Sequence, residues 1–447
     1  MVLGIALSSI IGKILDKVLI SVHREVLSTG DMQFGFKKGH STTQCTFSVE
    51  EVIKYYNNQS SSVYTMMLDA SQAFDRINYV QLFNTLLARG MCPMTVRLLV
   101  FVYCNQNVMV RWGNSTSSQF SVSNGVKQGG VLSPILFTIY IDNLFSDLKS
   151  KGLGCHVGNI FTGAFGYADD IILLSPSVHS LNSMYKVCKD FGAKYDIVFN
   201  PQKSKLMVFG KAIEGLYIDN NYVKCSHTEK HVGHLIGPQL NNKDITSKSN
   251  ELMLNTNHIL SVFGNASLEV KYQLFKTFCM PLYGSVLWDY SLKGVDSFFV
   301  TWRKCIRRLL NIPYNTHSDL LHLICNDLPV DCQLHKRVHK FVVSLSKSEN
   351  MYNNLSLKLA LNGSGSRICN SINHICHKYC LMKSNFASVR VSVLERKMRQ
   401  LCNSNVNNIS VLYADVARDM LYLSNTNNLN FFSHCQIQEI LKFVCTN

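Results

Sequence analysis

The sequence predicts an α+β fold, with a ferredoxin-like βαββαβ core in the first half and a mainly α-helical second half. Three observations lead to it. Residues 63–209 alternate short apolar runs with stretches of helical periodicity, in the order strand, helices, strand–turn–strand, helix, strand. Two of the apolar runs, 160–167 and 171–174, are separated only by Ala168-Asp169-Asp170, which marks a hairpin with carboxylates at its turn. Beyond about residue 240 the apolar residues recur mostly at helical intervals, with basic clusters between them.

The elements follow in order. Leu7, Ile10, Ile11, Ile14, Leu15 and Val18 share one helical face while Lys13, Asp16 and Lys17 lie on others, so a packed amphipathic helix is expected. Residues 63–69 form a short apolar run typical of a buried strand. Residues 79–89 read as a helix closed by Gly90, and 93–103 as a second. The runs 108–112 and 119–122 flank a Gly-Asn-Ser-Thr turn and read as an inserted hairpin. After Gly125 a glycine-bearing loop leads to Pro134, at the first position of an amphipathic helix that continues to about 148. The hairpin at 160–174, a helix over 178–196 and a strand at 206–209 complete the core.

Topology converts this order into chemistry. In a βαββαβ sheet the first strand lies beside the third and runs the same way as the second. The C-terminal end of strand one therefore sits level with the hairpin turn, and Asp69 lands beside Asp169 and Asp170. Standing alone, Ala168-Asp169-Asp170 would read as a solvated acidic turn. Three converging carboxylates instead repel one another and raise one another's pKa unless a cation is present. Mg²⁺ is the oxygen-seeking ion that commonly uses one or two carboxylates plus substrate phosphates. Two such ions about 3.5–4 Å apart would serve an in-line displacement at phosphorus, so phosphoryl transfer is the expected reaction class.

Composition narrows the partners. With 447 residues, 47% hydrophobic and 16% charged, the chain can bury a large core and does not read as disordered. It carries 44 Lys+Arg against 29 Asp+Glu, a formal charge of +15, which suits polyanions such as nucleic acid or an anionic membrane. Its 16 cysteines include no Cys-x-x-Cys pair and are expected to be reduced thiols of an intracellular, non-secreted protein. The apolar charge-free stretch 152–168 holds five glycines and is a poor membrane span, so no membrane partner is expected.

These residues carry a family resemblance. Tyr167-Ala168-Asp169-Asp170, the upstream Leu68-Asp69-Ala70-Ser71-Gln72-Ala73-Phe74-Asp75 and the intervening Gly125-Val126-Lys127-Gln128-Gly129-Gly130-Val131-Leu132-Ser133-Pro134 resemble reverse transcriptases. More narrowly, they resemble those of non-LTR (LINE-type) retrotransposons. Gln33-Phe34-Gly35-Phe36-Lys37-Lys38-Gly39-His40-Ser41-Thr42 is similar to the fingers motif of that family. Asn200-Pro201-Gln202-Lys203-Ser204-Lys205 and His231-Val232-Gly233-His234-Leu235-Ile236-Gly237 are similar to its later palm and primer-grip motifs. The ordered match covers roughly residues 1–240 and fades by about 345.

The resemblance implies a right-hand polymerase palm with partial fingers (1–240), a helical thumb-like region (241–345) and a C-terminal helical region of unassigned role (346–447). It implies an RNA-directed DNA polymerase, with Asp69, Asp169 and Asp170 holding two Mg²⁺ ions, or Mn²⁺ in their place. Phe74 would exclude a ribose 2′-hydroxyl, its alternative being an ordinary core aromatic. Gln128 and Gly129 would lie against the incoming nucleotide. Lys37, Lys38 and Lys203 are read either as phosphate contacts or as solvated lysines. Gly233 and His234 would belong to a primer grip. The implied partners are an RNA template, a DNA primer or target and dNTPs, in the nucleus or cytoplasm. The sequence sets no oligomeric state.

Further expectations concern the flanks. Met1-Val2-Leu3-Gly4 stands where the family places an arginine-containing motif, so an N-terminally truncated element is expected. The basic clusters Arg303, Lys304, Arg307, Arg308 and His335, Lys336, Arg337, His339, Lys340 suit a thumb following a template–primer duplex, against the alternative of a solvated helix face. Residues 344–366 read as a linker or long loop. Cys369, His374, Cys376, His377 and Cys380 invite a zinc reading, but their spacing matches neither the family's Cys/His motif nor a standard zinc site. Two other functions compete: an inactive nucleic-acid-binding relic, and a group II intron-type reverse transcriptase.

Overall fold

A computed structural model of the chain describes residues 6–71, 73–200, 203–211, 213–238 and 243–407. It divides into two compact units. One comprises residues 1–239 with 349–359, the other 240–348 with 360–447.

The first unit is built on a four-stranded sheet. Its strands are β1 (Val63–Leu68), β2 (Ala164–Tyr167), β3 (Asp170–Ser175) and β4 (Lys205–Phe209), in the order β4-β1-β3-β2. Every neighbouring pair is antiparallel, so β1 and β2 run the same way with β3 between them. This is the order that the βαββαβ reading requires. The expected strand at 160–167 is divided, because Ile160–Phe161 turns away to pair with His156–Val157 before β2 begins.

β1 is nearly all apolar because it is central: Met66 faces Leu173 on one side and Leu206 on the other, and all three are buried. Each such side chain contributes about 1.5–3 kcal/mol by leaving water. The helices Ser133–Ser150 and Val178–Tyr195 share this core through Phe137, Tyr140 and Leu144 of the former and Leu181, Met184 and Cys188 of the latter. The Tyr140 hydroxyl donates to the carbonyl of Tyr195, tying the middle of the first helix to the C-terminal end of the second. The helix Thr42–Asn58, closed at its start by a Ser41/Gln44 capping box, packs on the same sheet.

Two expectations need correction here. The N-terminal helix runs Ile10–Val22, but its expected packing face is open: Leu7 is 93% exposed, and Ile10, Ile11, Ile14 and Val18 are also exposed. Of the expected face only Leu15 meets the core, together with Leu19 and Ile20. Periodicity reports an apolar stripe without saying what covers it. The expected linker at 344–366 contains the helix Met351–Asn362. Its polar approach is a cap: the Asn350 carboxamide oxygen accepts from the N–H groups of Tyr352 and Asn353, and the Asp31 carboxylate accepts from that of Met351. Tyr352 then packs edge-on against Phe165 of β2, with ring centroids 5.3 Å apart.

The second unit is helical throughout its described residues. The longest helices are Lys243–Val262, Lys293–Leu309, Val330–Ser346 and Val391–Asn407. Phe298, Trp302, Ile306 and Leu309 form the buried stripe of the second of these, at the three- and four-residue spacing that the sequence shows. All cysteines among the described residues are unpaired thiols. Among those residues no helix is long and apolar enough to cross a membrane.

Candidate functional site

The ladder between β1 and β3 pairs Leu68 with Ile171 as its last couple. One residue further on, Asp69 leaves the end of β1 opposite Asp170, the first residue of β3. Asp169 occupies the two-residue turn between β2 and β3, where Tyr167 pairs with Asp170. Residues one hundred apart in sequence thus meet at one sheet edge.

Their electrostatics reflect this crowding. Burial, then the charges of Asp169 and Asp69, push the Asp170 carboxyl up to about 6. Asp169 is raised as well, first by burial and then by Asp69, against a lowering hydrogen bond from its own backbone. The backbone beneath Asp69 is held from β4's approach: its N–H donates to Ser204 Oγ at 3.3 Å, its carbonyl accepts from Asn200 N–H, and Ser204 Oγ donates to the Asn200 carbonyl at 2.7 Å.

Phe74 and the Gly125–Pro134 loop come together on the same unit. Val126 N–H donates to the Phe74 carbonyl and Gly125 N–H to that of Ile77, both at 2.9 Å. Gly125 has φ +80°, and a Cβ there would stand 2.8–3.0 Å from the backbone of Asp75, so only glycine permits this approach. The Phe74 ring is half-buried and stacks on the fully buried Phe137. Gln128 is partly exposed and Gly129 open to solvent at φ +104°.

The three lysines differ. Lys38 and Lys203 are exposed. Lys37 fits neither of the two readings considered for it, because its ammonium donates to the carbonyls of Thr29 and Gly30, each at 2.9 Å. Burial lowers its pKa, against Asp31 and Asp142, which raise it. Residues 229–236 form a hairpin whose tip, Val232 and Gly233, has positive φ at both positions. His234 is buried and its ring contacts Thr43 Oγ1 at 3.3 Å. His231, pulled down to about 4 by burial and then by His234, faces Thr46. Both imidazoles are thus turned toward the Thr42–Asn58 helix, leaving the 232–233 tip at the surface.

Sequence reasoning assigned no role to Gln33. Its carboxamide is fully buried against the Ala168 peptide of the carboxylate turn. Nothing local marked it, because residues 33–42 also hold Lys37, Lys38, His40, Ser41 and Thr42 and the partner lies 135 residues away.

The residues fit a divalent cation of a particular kind. Among the described residues no three His, Cys, Asp or Glu side chains converge closely enough to hold an ion by themselves, the three aspartates included. Carboxylates of raised pKa at an open sheet edge suit Mg²⁺, which retains water and takes phosphate oxygens to complete its octahedron. Cys369 and Cys376 are buried in the Arg367–Lys378 helix, while His377 and Cys380 are exposed.

In the second unit the two basic clusters separate. Lys304 and Arg308 are exposed, whereas Arg307 donates to the Thr316 carbonyl at 2.7 and 3.1 Å. In the cluster at 335–340 the two histidines are internal, which corrects their reading as part of a charged face, while Lys336 and Arg337 are half-buried and Lys340 is exposed. His335 and His339 are wholly buried, and burial lowers the pKa of both, that of His335 to about 3. Arg337 donates to the Met280 carbonyl and Lys336 pairs with Glu395.

Residues 3–255 match the family model described as Reverse transcriptase (RNA-dependent DNA polymerase). The chain is 28% identical over 199 residues to the Pol polyprotein from the type-2 retrotransposable element R2DM of Drosophila melanogaster, covering 44% of this chain and 19% of that protein. It is 22% identical over 330 residues to the RNA-directed DNA polymerase from mobile element jockey of Drosophila funebris, covering 68% and 35%. It is 23% identical over 364 residues to the probable RNA-directed DNA polymerase from transposon BS of Drosophila melanogaster, covering 75% and 39%. The chain therefore spans about a fifth to two fifths of these relatives. Among solved structures, apo telomerase from Candida tropicalis is similar at a TM-score of 0.35 and 11% identity, over 92% of this chain and 60% of that one.

Proposed function

The chain belongs to the reverse transcriptase family, and from that premise we propose that it extends a DNA primer 3′-hydroxyl with dNTPs on an RNA template. The observation that carries this reading is the placement of Asp69 opposite Asp170, with Asp169 in the adjoining turn.

Proteins of the family use divalent metal ions. Asp69, Asp169 and Asp170 would hold two Mg²⁺ ions, or Mn²⁺, whose chemistry is to activate the attacking hydroxyl and to neutralise charge on the leaving pyrophosphate. The raised pKa of Asp170 means that a proton and a cation compete for this edge, and at neutral pH the carboxylate is free to bind.

The remaining residues bind and orient. Phe74, backed by Phe137, would be the aromatic wall that a 2′-hydroxyl meets. Gln128 and Gly129, on the loop hydrogen-bonded to Phe74's backbone, would border the nucleotide. Lys38 and Lys203 are free to meet phosphate, while Lys37 would act indirectly by holding the 29–37 loop. Gly233 is the exposed part of the proposed primer grip, with His234 as its buried anchor. Lys304 and Arg308 would contact duplex backbone. Primer extension on an RNA template with Mg²⁺, comparing wild type with Asp169→Asn and Asp170→Asn, tests the proposal.

A further inference from the structure

We infer that Gln33 is a positioning residue that sets the geometry of the metal-binding turn from beneath. The inference rests on the polymerase reading for what the turn does, but its geometric part stands by itself.

The backbone of 32–34 lies along the outer edge of β2. Gly166 N–H donates to the Met32 carbonyl at 2.9 Å, and Phe34 N–H donates to the Gly166 carbonyl at 2.7 Å. From this edge the Gln33 side chain, 0% exposed, reaches under the turn. Its Oε1 accepts from Ala168 N–H at 2.9 Å and from Gly35 N–H at 2.8 Å, while its Nε2 donates to the Ala168 carbonyl at 3.2 Å. One carboxamide therefore holds the peptide planes on both sides of Ala168, the second of which is the peptide of Asp169.

Ala168 needs such a hold. It has φ +58°, a conformation costing an L-residue about 1–2 kcal/mol, and its side is buried, so water does not serve its N–H and carbonyl. The approach is also sterically matched. A Cβ at Gly35 would stand 2.3 Å from Ala168 N, and one at Gly166 would stand 2.4 Å from Phe145 Cζ. Only an amide satisfies three backbone groups here while adding no charge beside the aspartates. A carboxylate could accept but not donate, and a shorter Asn would not span the distance.

The test uses the full chain with Gln33→Met, which keeps the shape and removes the hydrogen bonds, and Gln33→Glu, which restores them only when protonated. Two quantities are read: the Mg²⁺ dependence of RNA-templated primer extension, and hydrogen exchange of residues 164–170. Gln33→Met is expected to raise the half-saturating Mg²⁺ and lower kcat about tenfold each, a loss of about 1.4 kcal/mol for each effect, with KM for dNTP little changed. Exchange at 164–170 should quicken relative to β1 and β4. Activity of Gln33→Glu relative to wild type should fall as pH rises and the carboxyl ionises. If Gln33→Met keeps wild-type Mg²⁺ dependence and exchange, or if it slows extension with no change in either, the inference is overturned. If wild type itself extends no primer, the polymerase reading fails, and exchange at 164–170 still decides the clamp.

Discussion

Phe74 lies face to face on Phe137, with ring centroids 4.2 Å apart and planes 17° from parallel. Phe137 is fully buried in the helix that follows the Gly125–Pro134 loop, so the Phe74 ring is fixed from behind by the core while its other face remains partly open. The two alternatives for Phe74, gate and core aromatic, are therefore compatible. Phe74→Val should weaken discrimination against rNTPs by about tenfold or more, equivalent to about 1.4 kcal/mol. It should also cost some stability through the lost stacking, about 0.5–1.5 kcal/mol. Competitive incorporation of rNTP against dNTP measures the first and thermal melting the second; unchanged sugar selection would leave Phe74 with the packing role alone.

Gly125→Ala should separate loop placement from gate chemistry. An added methyl meets the Asp75 backbone at a positive φ, a strain of about 1–3 kcal/mol. The expected outcome is a raised KM for dNTP with near-normal affinity for template–primer. Equal loss of both would show that the substitution unfolds the unit instead.

The carboxylate edge should make stability depend on pH and cation together. Asp170 is raised to about 6 in the fold from 3.8, so the fold takes up a proton more readily than the unfolded chain between those values. Its contribution is present below pH 4 and lost as pH rises through about 6. At pH 7.5 without metal, Asp170→Asn should therefore stabilise the chain, by on the order of 1 kcal/mol or less once solvent screening at this partly exposed group is allowed for. Added Mg²⁺ should stabilise wild type more at pH 7.5 than at pH 5. Melting curves at both values decide this, and a Mg²⁺ effect independent of pH would contradict it.

Exposure separates the basic residues of the second unit. Lys304→Ala and Arg308→Ala should each weaken duplex binding and reduce the slope of log K against log salt by about 1. His335→Ala should leave that slope unchanged and lower the melting temperature, because His335 is buried, neutral and in contact with the Tyr379 hydroxyl at 2.9 Å. Fluorescence anisotropy across a salt series distinguishes the two cases.

Much of the site was legible in the sequence because topology follows from element order. Once residues 63–209 read as βαββαβ, Asp69 had to end its strand beside the turn carrying Asp169 and Asp170. What escaped the sequence depends on partners. The apolar stripe of the Ile10–Val22 helix is visible in its periodicity, yet Leu7 and Ile11 are open to solvent. His335 and His339 read as charge until their burial shows them neutral. Asn350 looked like a loop residue and caps a helix. Gln33 sits inside a motif, but its hydrogen bonds span 135 residues, and no local pattern encodes such a reach.

The most direct measurement is single-nucleotide primer extension on an RNA template by the full chain in Mg²⁺, with Asp170→Asn as the comparison. The expected result is dNTP incorporation by wild type, its loss by about three orders of magnitude or more in Asp170→Asn (about 4 kcal/mol of barrier), and an undiminished melting temperature in the variant. Equal incorporation by the folded variant, or none by wild type that binds the template–primer, would contradict the assignment of Asp69, Asp169 and Asp170 as the centre of catalysis.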